Sequence, residues 1–296
     1  MHAAVTASFF KRLYRMPLPV FLDLAEKLVR EYNGPCRRSC PLLLLSVTIR
    51  WLAGGSYLDL SVAHSQPPSS IYYYIDQTLD DLDLVLPLSF PYSDLAWLEK
   101  VSDGFSRGVT SVLRGCCGAL DGIAIKIKEP SRIEVPNSSS YYNRKGFFAL
   151  NVQAICDSFY RCTYVGCLAA GSTHDSTAYS ITSLAALLAK SDSGLHQRYW
   201  VAADDAYTCS ERLLTPWPGR GLSTAKDCFN YWQSSARIFI EQAFGMLVAR
   251  WGCYGDRCRA TCPKVSTLSW YAVNSITTLL IETLTSRFQI LLMKMT

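Results

Sequence analysis

Three acidic residues sit where an acid needs a reason. Asp121 lies in GALDGIAIKIKEP, after Ala119-Leu120 and before Gly122-Ile123, and Ile123, Ile125 and Ile127 alternate there with small or basic residues, a strand spacing. Charged residues are depleted in strands and costly in an apolar core. An edge or strand-end position that reaches solvent is one explanation. A hard divalent cation, which takes oxygen ligands, is another. Asp204 closes the run Tyr199-Trp200-Val201-Ala202-Ala203, and in open α/β sheets sites gather at the carboxyl ends of strands. Asp205 is next to it, and because strand side chains alternate faces only one of the pair can look toward the same site as Asp121. Glu241 falls in SSARIFIEQAFGMLVARW, at the border of a stripe formed by Ile240, Phe244, Leu247, Val248 and Trp251. Arg237, one turn before Glu241, makes a surface ion pair the simplest reading, while Gly245, one turn after, leaves room for another backbone or a ligand. Two Asp on neighbouring strands and a Glu on a following helix could hold two Mg²⁺ ions, the arrangement that cuts phosphodiesters. From spacing alone, that is one reading among several.

The elements that would carry these acids follow from periodicity. After GALDGIAIKIKEP, the runs FFALNVQAICD and YRCTYVGCLAAG read as two more strands in a hairpin turning at Asp157-Ser158. DSTAYSITSLAALLAK reads as a helix, HQRYWVAADDAY gives a fourth strand, and a long helix runs from about Ser234 to Trp251. Three strands, a helix, a strand and a helix make an α/β domain.

The first hundred residues read as helices. Leu18 to Tyr32 places Phe21, Leu22, Ala25, Leu28 and Val29 at helical spacing, and Asn33-Gly34-Pro35 stops it. A second helix spans about Cys40 to Ala53, ended by Gly54-Gly55. SYLDLSVAH and a Gln66-Pro67-Pro68 turn follow, then a helix whose N-cap is expected at Ser69-Ser70. The outline is that of a helix-turn-helix. A DNA-reading helix should offer polar or basic side chains. This one carries Asp76, Asp80, Asp81 and Asp83, and no Lys or Arg lies between Ser69 and Glu99. Acids would be repelled by phosphates, so a helical domain that packs or binds protein is at least as good a reading.

Bulk properties narrow the class. With 296 residues the chain is long enough for two ordinary domains, and 49% hydrophobic against 18% charged residues excludes global disorder. A net charge of +5 permits nucleic-acid binding without arguing for it. Pro41 to Leu45 is cut short by Arg50, and Leu268 to Leu284 carries Ser, Asn, Thr and Glu282, so neither is expected to span a membrane. Lys11 and Arg12 follow rather than precede the apolar patch Ala3 to Phe10, so no secretory signal is expected. The twelve cysteines are scattered, which favours reduced thiols. Cys253, Cys258 and Cys262 do not have the spacing of a usual zinc knuckle and lack a nearby His, so buried thiols are the better reading than zinc.

On these residues the chain resembles the PIF/Harbinger transposases, a group of DDE superfamily endonucleases. GALDGIAIKIKEP resembles the first-aspartate motif, and YYNRKGFFALNVQAICD resembles the Asn-Arg-Lys-Gly block and the strand after it. GSTHDSTAYS and the stretch from VAADDAYTCSERLL to IEQAFGMLVARW resemble the remaining blocks, in order, over about Gly115 to Trp251. The helical N-terminal part is similar, more weakly, to the family's helix-turn-helix region. The resemblance implies an RNase H-like mixed sheet flanked by helices over 113–296, preceded by a small all-helical, helix-turn-helix-like domain over 1–112. It implies a catalytic and metal-binding triad of Asp121, Asp204 and Glu241, using Mg²⁺ or Mn²⁺. Asp175, in the His-Asp-Ser block, is the rival for a metal-proximal place. His174, Asn143, Arg144, Lys145 and Arg237 are expected to contact DNA or support the site.

The implied activity is cutting DNA at element ends and joining the freed 3′-hydroxyl to target DNA. Arg132, Arg144, Lys145, Arg220, Arg250, Arg257 and Arg259 are candidates for phosphate contacts, each of them equally readable as a solvated surface charge. The implied partners are DNA and a Myb-like DNA-binding protein that brings the chain into the nucleus, without which it would stay in the cytoplasm. A homo-oligomer is compatible with the resemblance; a membrane is not implied. The chain departs from the family's pattern at Ala203, where a glycine is usual, at Thr208, where many relatives have proline, and at Val273-Asn274, which lacks the histidine of Leu-His-Asn. These departures keep open a second reading, a degenerate or domesticated relative acting as a non-catalytic DNA- or protein-binding module.

Overall fold

Hydrophobic spacing sets the helices of the N-terminal unit, seen in a computed structural model that describes residues 2–31, 40–106, 113–133, 135–190 and 194–254. The described residues form two compact units, one comprising those up to Pro87 together with 247–254, the other those of Leu88–Met246. The first contains α1 (His2–Tyr14), α2 (Leu18–Glu31), α3 (Pro41–Leu52), α4 (Tyr57–His64) and α5 (Pro68–Val85). Leu24, Leu28, Leu44, Leu45, Ile49, Leu52, Ile71, Leu79 and Leu82 are buried in it, so α2, α3 and α5 each turn an apolar stripe inward. Thr48 and Thr78 return their hydroxyls to the carbonyls of Leu44 and Tyr74, four residues back, which lets them sit fully inside.

The start of α5 differs from expectation. Pro67 is its N-cap residue and Pro68 its first helical residue, with no side-chain cap from Ser69 or Ser70. Proline is suited to that place because its φ is already helical and its missing N–H would have been unpaired anyway. Of the acids on α5, Asp76, Asp80 and Asp83 are exposed and Asp81 is buried. Partial burial and the neighbouring Asp80 push the carboxyl of Asp83 upward.

The second unit is α/β. Helix α6 (Leu95–Ser106) is followed by strands β1 (Cys116–Lys126), β2 (Ala149–Cys156) and β3 (Cys162–Ala170), then α7 (Asp175–Ser180), α8 (Ser183–Leu188), β4 (Trp200–Ala202), β5 (Leu213–Leu214) and α9 (Thr224–Arg250). The open sheet has the order β3-β2-β1-β4-β5, antiparallel from β3 to β1 and parallel from β1 to β5. The expected hairpin turns at Asp157-Ser158, where the buried Asp157 carboxylate accepts from the backbone N–H groups of Phe159 and Arg161 and pairs with the Arg161 guanidinium at 2.6 Å. Helix α6 packs on β1 and belongs with the sheet. Leu98 of α6, Leu184 and Leu188 of α8, and Leu120, Ile155, Val201 and Leu213 of the sheet share one core.

Three details depart from the periodicity reading. The stretch read as one helix from Asp175 is two, because Thr182 turns its hydroxyl to the N–H of Ala185 and starts α8 afresh. A two-residue strand, β5, too short to leave a periodic signal, joins the sheet beside β4. Helix α9 begins at Thr224, ten residues ahead of the expected start, since nothing between the loop glycines Gly219 and Gly221 and Gly245 interrupts helical backbone. Along it Ile240, Phe244, Leu247 and Trp251 are buried as the stripe requires, while Val248 is exposed. Among the described residues no helix is long and apolar enough to cross a membrane.

Candidate active site

Register brings the two aspartates side by side. Parallel pairing sets Ala119 of β1 opposite Ala202 of β4. Asp121 and Asp204 each lie two residues further on, Asp121 midway along β1 and Asp204 just past the carboxyl end of β4, where the parallel pairing stops and a ligand can enter. Asp204 stands just beyond β4 in a turn that its own side chain builds, Oδ1 accepting from Ala206 N at 3.0 Å. Asp205 is exposed.

Asp121 is partly buried, and its carboxyl is pushed up to about 6. Burial is the main cause. The carboxylates of Asp204 and Asp175 add to it, while the Gly122 N–H (2.8 Å from Asp121 Oδ1) and the charge of Arg237 pull the other way. An acid held this high beside other acids is a group poised for an added positive charge.

Arg237 supplies part of that charge. Its Nη2 lies 3.6 Å from Glu241 Oε1 and 4.0 Å from Asp204 Oδ2. Its Nε is buried and meets no acceptor among the described residues. Glu241 therefore faces an arginine, with 57% of its side chain exposed. Among the described residues no three His, Cys, Asp or Glu side chains gather closely enough to hold a metal ion. The donor set of Asp121, Asp204 and Glu241 is nonetheless all carboxylate, the chemistry that hard divalent ions take. Gly245, expected to leave room near Glu241, opens onto free space.

Asp175 is anchored from below. Its Oδ1 accepts from Asn151 Nδ2 at 2.8 Å and from Gln153 Nε2 at 3.3 Å. Gln153 also donates to Asn151 Oδ1 at 2.7 Å and accepts from the Tyr207 hydroxyl at 2.6 Å. This chain of hydrogen bonds links β2, the start of α7 and the loop after β4. Asp121 pairs with Ala154 and Gly122 with Gln153, so Asp121 and the Gln153 network project to opposite faces of the sheet. Glycine at 122 is what allows the approach: an added Cβ would stand 2.5 Å from Asp175 Oδ1 and 2.6 Å from Gln153 Nε2.

The remaining expected residues form a rim beside this network. Asn143 caps its own turn, Oδ1 accepting from the N–H of Lys145 at 2.9 Å and of Phe147 at 3.4 Å, and Gly146 closes the turn at φ 83°, a conformation that costs glycine little. Arg144 and Lys145 are exposed on it. His174 caps α7, its Nδ1 accepting from Ser176 N at 3.4 Å. Arg132 and Arg220 are exposed; Arg250 is half-buried beside Arg15, and burial lowers its pKa first. Arg257, Arg259, Cys258, Cys262 and Val273-Asn274 lie outside the described residues. Cys253 is buried.

Asn151, Gln153, Tyr207 and Gln233 are the site residues that periodicity missed. A buried polar side chain must find partners, and Asn151 and Gln153, alternating inside an apolar strand, carried that signal. Gln233, fully buried on α9, donates to the carbonyls of Ala203 and Leu214 and so ties α9 to the ends of β4 and β5. Nothing in its local sequence marks it.

No curated protein and no solved structure matches the chain. A family profile described as DDE superfamily endonuclease matches residues 120–273, more than half of the 296, and the match begins one residue before Asp121 and takes in Asp175, Asp204, Arg237 and Glu241. With Asp121 of β1 and Asp204 past the end of β4 at equal offset in a mixed sheet, and that match across them, the chain belongs to the DDE superfamily endonucleases.

Proposed function

We propose that the protein is a transposase nuclease of the PIF/Harbinger type, built on an RNase H-like domain over 113–296, that cuts DNA at element ends and joins the freed 3′-hydroxyl to target DNA. The observation that carries the reading is the equal offset of Asp121 and Asp204 from the Ala119–Ala202 pair, with the Asp121 carboxyl raised to about 6. DDE superfamily endonucleases typically use divalent metals. In this reading Asp121, Asp204 and Glu241 hold Mg²⁺ or Mn²⁺, with Glu241 leaving Arg237 to do so. Such ions, when bound, supply a lowered pKa for water and charge stabilisation at the leaving oxygen.

The protein's own residues do the rest. The Tyr207–Gln153–Asn151–Asp175 chain holds Asp175 and the sheet face behind Asp121 rigid. Arg237 neutralises Asp204 and Glu241 until an ion arrives. Arg144 and Lys145 offer charge to the DNA backbone. The acidic surface of α5 favours protein over DNA as the partner of the N-terminal unit (residues 1–112 in this reading), which suits a Myb-like protein that supplies DNA binding and nuclear entry; without it the chain stays in the cytoplasm. A homo-oligomer is compatible with this arrangement.

One observation favours a second reading, a non-catalytic module. Arg237 already supplies a positive charge between Asp204 and Glu241. Nicking of supercoiled plasmid in Mn²⁺, with Asp204→Ala alongside, tests the first reading. Cutting by the wild type alone supports it. Absence of cutting, together with no Mn²⁺ binding by calorimetry, replaces it with the second.

A further inference from the structure

A cavity of about 300 Å³ opens beside Asp175, on the sheet face of Gly122 and Asn151, and is lined as well by Asn143, Arg144, Lys145 and His174. Most of its polar groups are already engaged. Asn151 Nδ2 is spent on Thr173 O and Asp175, and His174 Nδ1 on Ser176. Asn143 differs. Its Oδ1 is satisfied by the turn it caps, yet Nδ2 is buried, with the residue only 5% exposed, and meets no acceptor among the described residues. A buried donor without a partner costs as much as a lost hydrogen bond. Such a group at a cavity wall is explained when a ligand brings the acceptor.

The ligand's chemistry follows from the wall. Asn143 Nδ2, the Arg144 guanidinium and the Lys145 ammonium are all donors and two of them are cations, so an anionic acceptor fits against these three, away from the Asp175 carboxylate that also lines the cavity. The volume is at the lower end of small-ligand sites and well beyond a lone phosphate. Gly122, the residue after Asp121, forms part of the lining, so the cavity lies on the face of β1 opposite to the Asp121 side chain.

We infer that this cavity receives one unpaired nucleotide of the bound DNA strand, its phosphate on Arg144 and Lys145 and an acceptor atom of the nucleotide on Asn143 Nδ2. This rests on the nuclease reading for the identity of the strand. A duplex cannot enter a space this small, so a nucleotide must leave the stack to fill it. The seat would fix the strand's position relative to Asp175.

Fluorescence anisotropy in EDTA tests the inference, with a labelled duplex carrying a short single-stranded tail of either polarity and the blunt duplex of the same sequence. The wild type should bind a tailed duplex about 10-fold more tightly than the blunt one, the scale of a charge-assisted hydrogen bond. Asn143→Asp keeps the acceptor of the turn and replaces the buried free donor with an anionic oxygen, so it should abolish the tail preference, at some cost in melting temperature, in a protein that still binds the blunt duplex. Lys145→Gln, on the exposed rim and without risk to folding, should weaken tailed binding more than blunt.

No tail preference in the wild type overturns the inference. So does an Asn143→Asp protein that keeps it, and so does tight binding of a free deoxynucleoside monophosphate without tail preference. Because the assay needs neither metal nor cutting, the two readings fail separately. Tail preference without plasmid nicking or Mn²⁺ binding would sink the nuclease reading alone; nicking with an indifferent Asn143→Asp would sink the nucleotide seat alone.

Discussion

Arg237 holds Glu241 at 3.6 Å across one turn of α9, so the glutamate faces an arginine. The pair is the i,i+4 contact that spacing alone suggests, yet the same guanidinium reaches Asp204 on another element. That second contact sets it apart from an ordinary surface ion pair. It makes Arg237 a competitor for any cation at the acids.

The competition can be measured. Arg237→Gln removes a positive charge from Asp204 and Glu241 and should tighten Mn²⁺ binding by roughly 2- to 5-fold, the worth of a partly exposed pair. Isothermal titration calorimetry reads this directly. Weaker binding would mean that Arg237 instead holds the acids in their binding positions.

Asp121 carries a pH signature. Its native carboxyl, at about 6, lies above the ordinary value of 3.8. Between these values the native state holds the proton that the unfolded state releases, so stability falls as pH rises from about 4 through about 6. Above that window the cost is on the order of 1–3 kcal/mol. Asp121→Asn should therefore raise the melting temperature of metal-free protein at pH 8 and leave it nearly unchanged below pH 4. Equal effects at both pH values would show that its carboxyl is not raised. The same variant should lose Mn²⁺-dependent nicking.

Tyr207→Phe deletes the donor to Gln153 Oε1 and leaves that buried oxygen bare. The cost should be about 1–3 kcal/mol in chemical denaturation. Because the network continues to Asp175, Tyr207→Phe and Asn151→Ala should be non-additive by at least about 0.5 kcal/mol in a double-mutant cycle. Simple additivity would mean that the two ends act independently.

Gln233 gives a test of helix placement. Gln233→Leu takes the side-chain donor from the carbonyls of Ala203 and Leu214, the second of which keeps its bond from the Ala203 N–H, and a loss of about 1–3 kcal/mol is expected. Nicking should fall more than folding does, because α9 carries both Arg237 and Glu241. Activity unchanged once the stability loss is corrected for would remove Gln233 from the positioning role.

The family itself was legible in residues: the apolar runs around Asp121 and Asp204, the Asn-Arg-Lys-Gly turn and the helix with Glu241 are local patterns, and the profile match runs across all of them. Local physics also determined most helices of the first unit and the hairpin at Asp157, since period and turn chemistry act over a few residues. The start of α9 and the break before α8 escaped, because a helix continues or stops by small local margins that an apolar stripe does not record.

What only tertiary structure decided is which acids meet. Strand register put Asp121 beside Asp204, and the absence of a side chain at Gly122 let Asp175 come down onto Gln153. The guanidinium of Arg237 could have served Glu241 alone; the crossing of α9 over the end of β4 gave it Asp204 as well. Periodicity reports which face of an element is buried. It carries no record of which residue, distant in the chain, arrives at that face, and an active site is made of such arrivals.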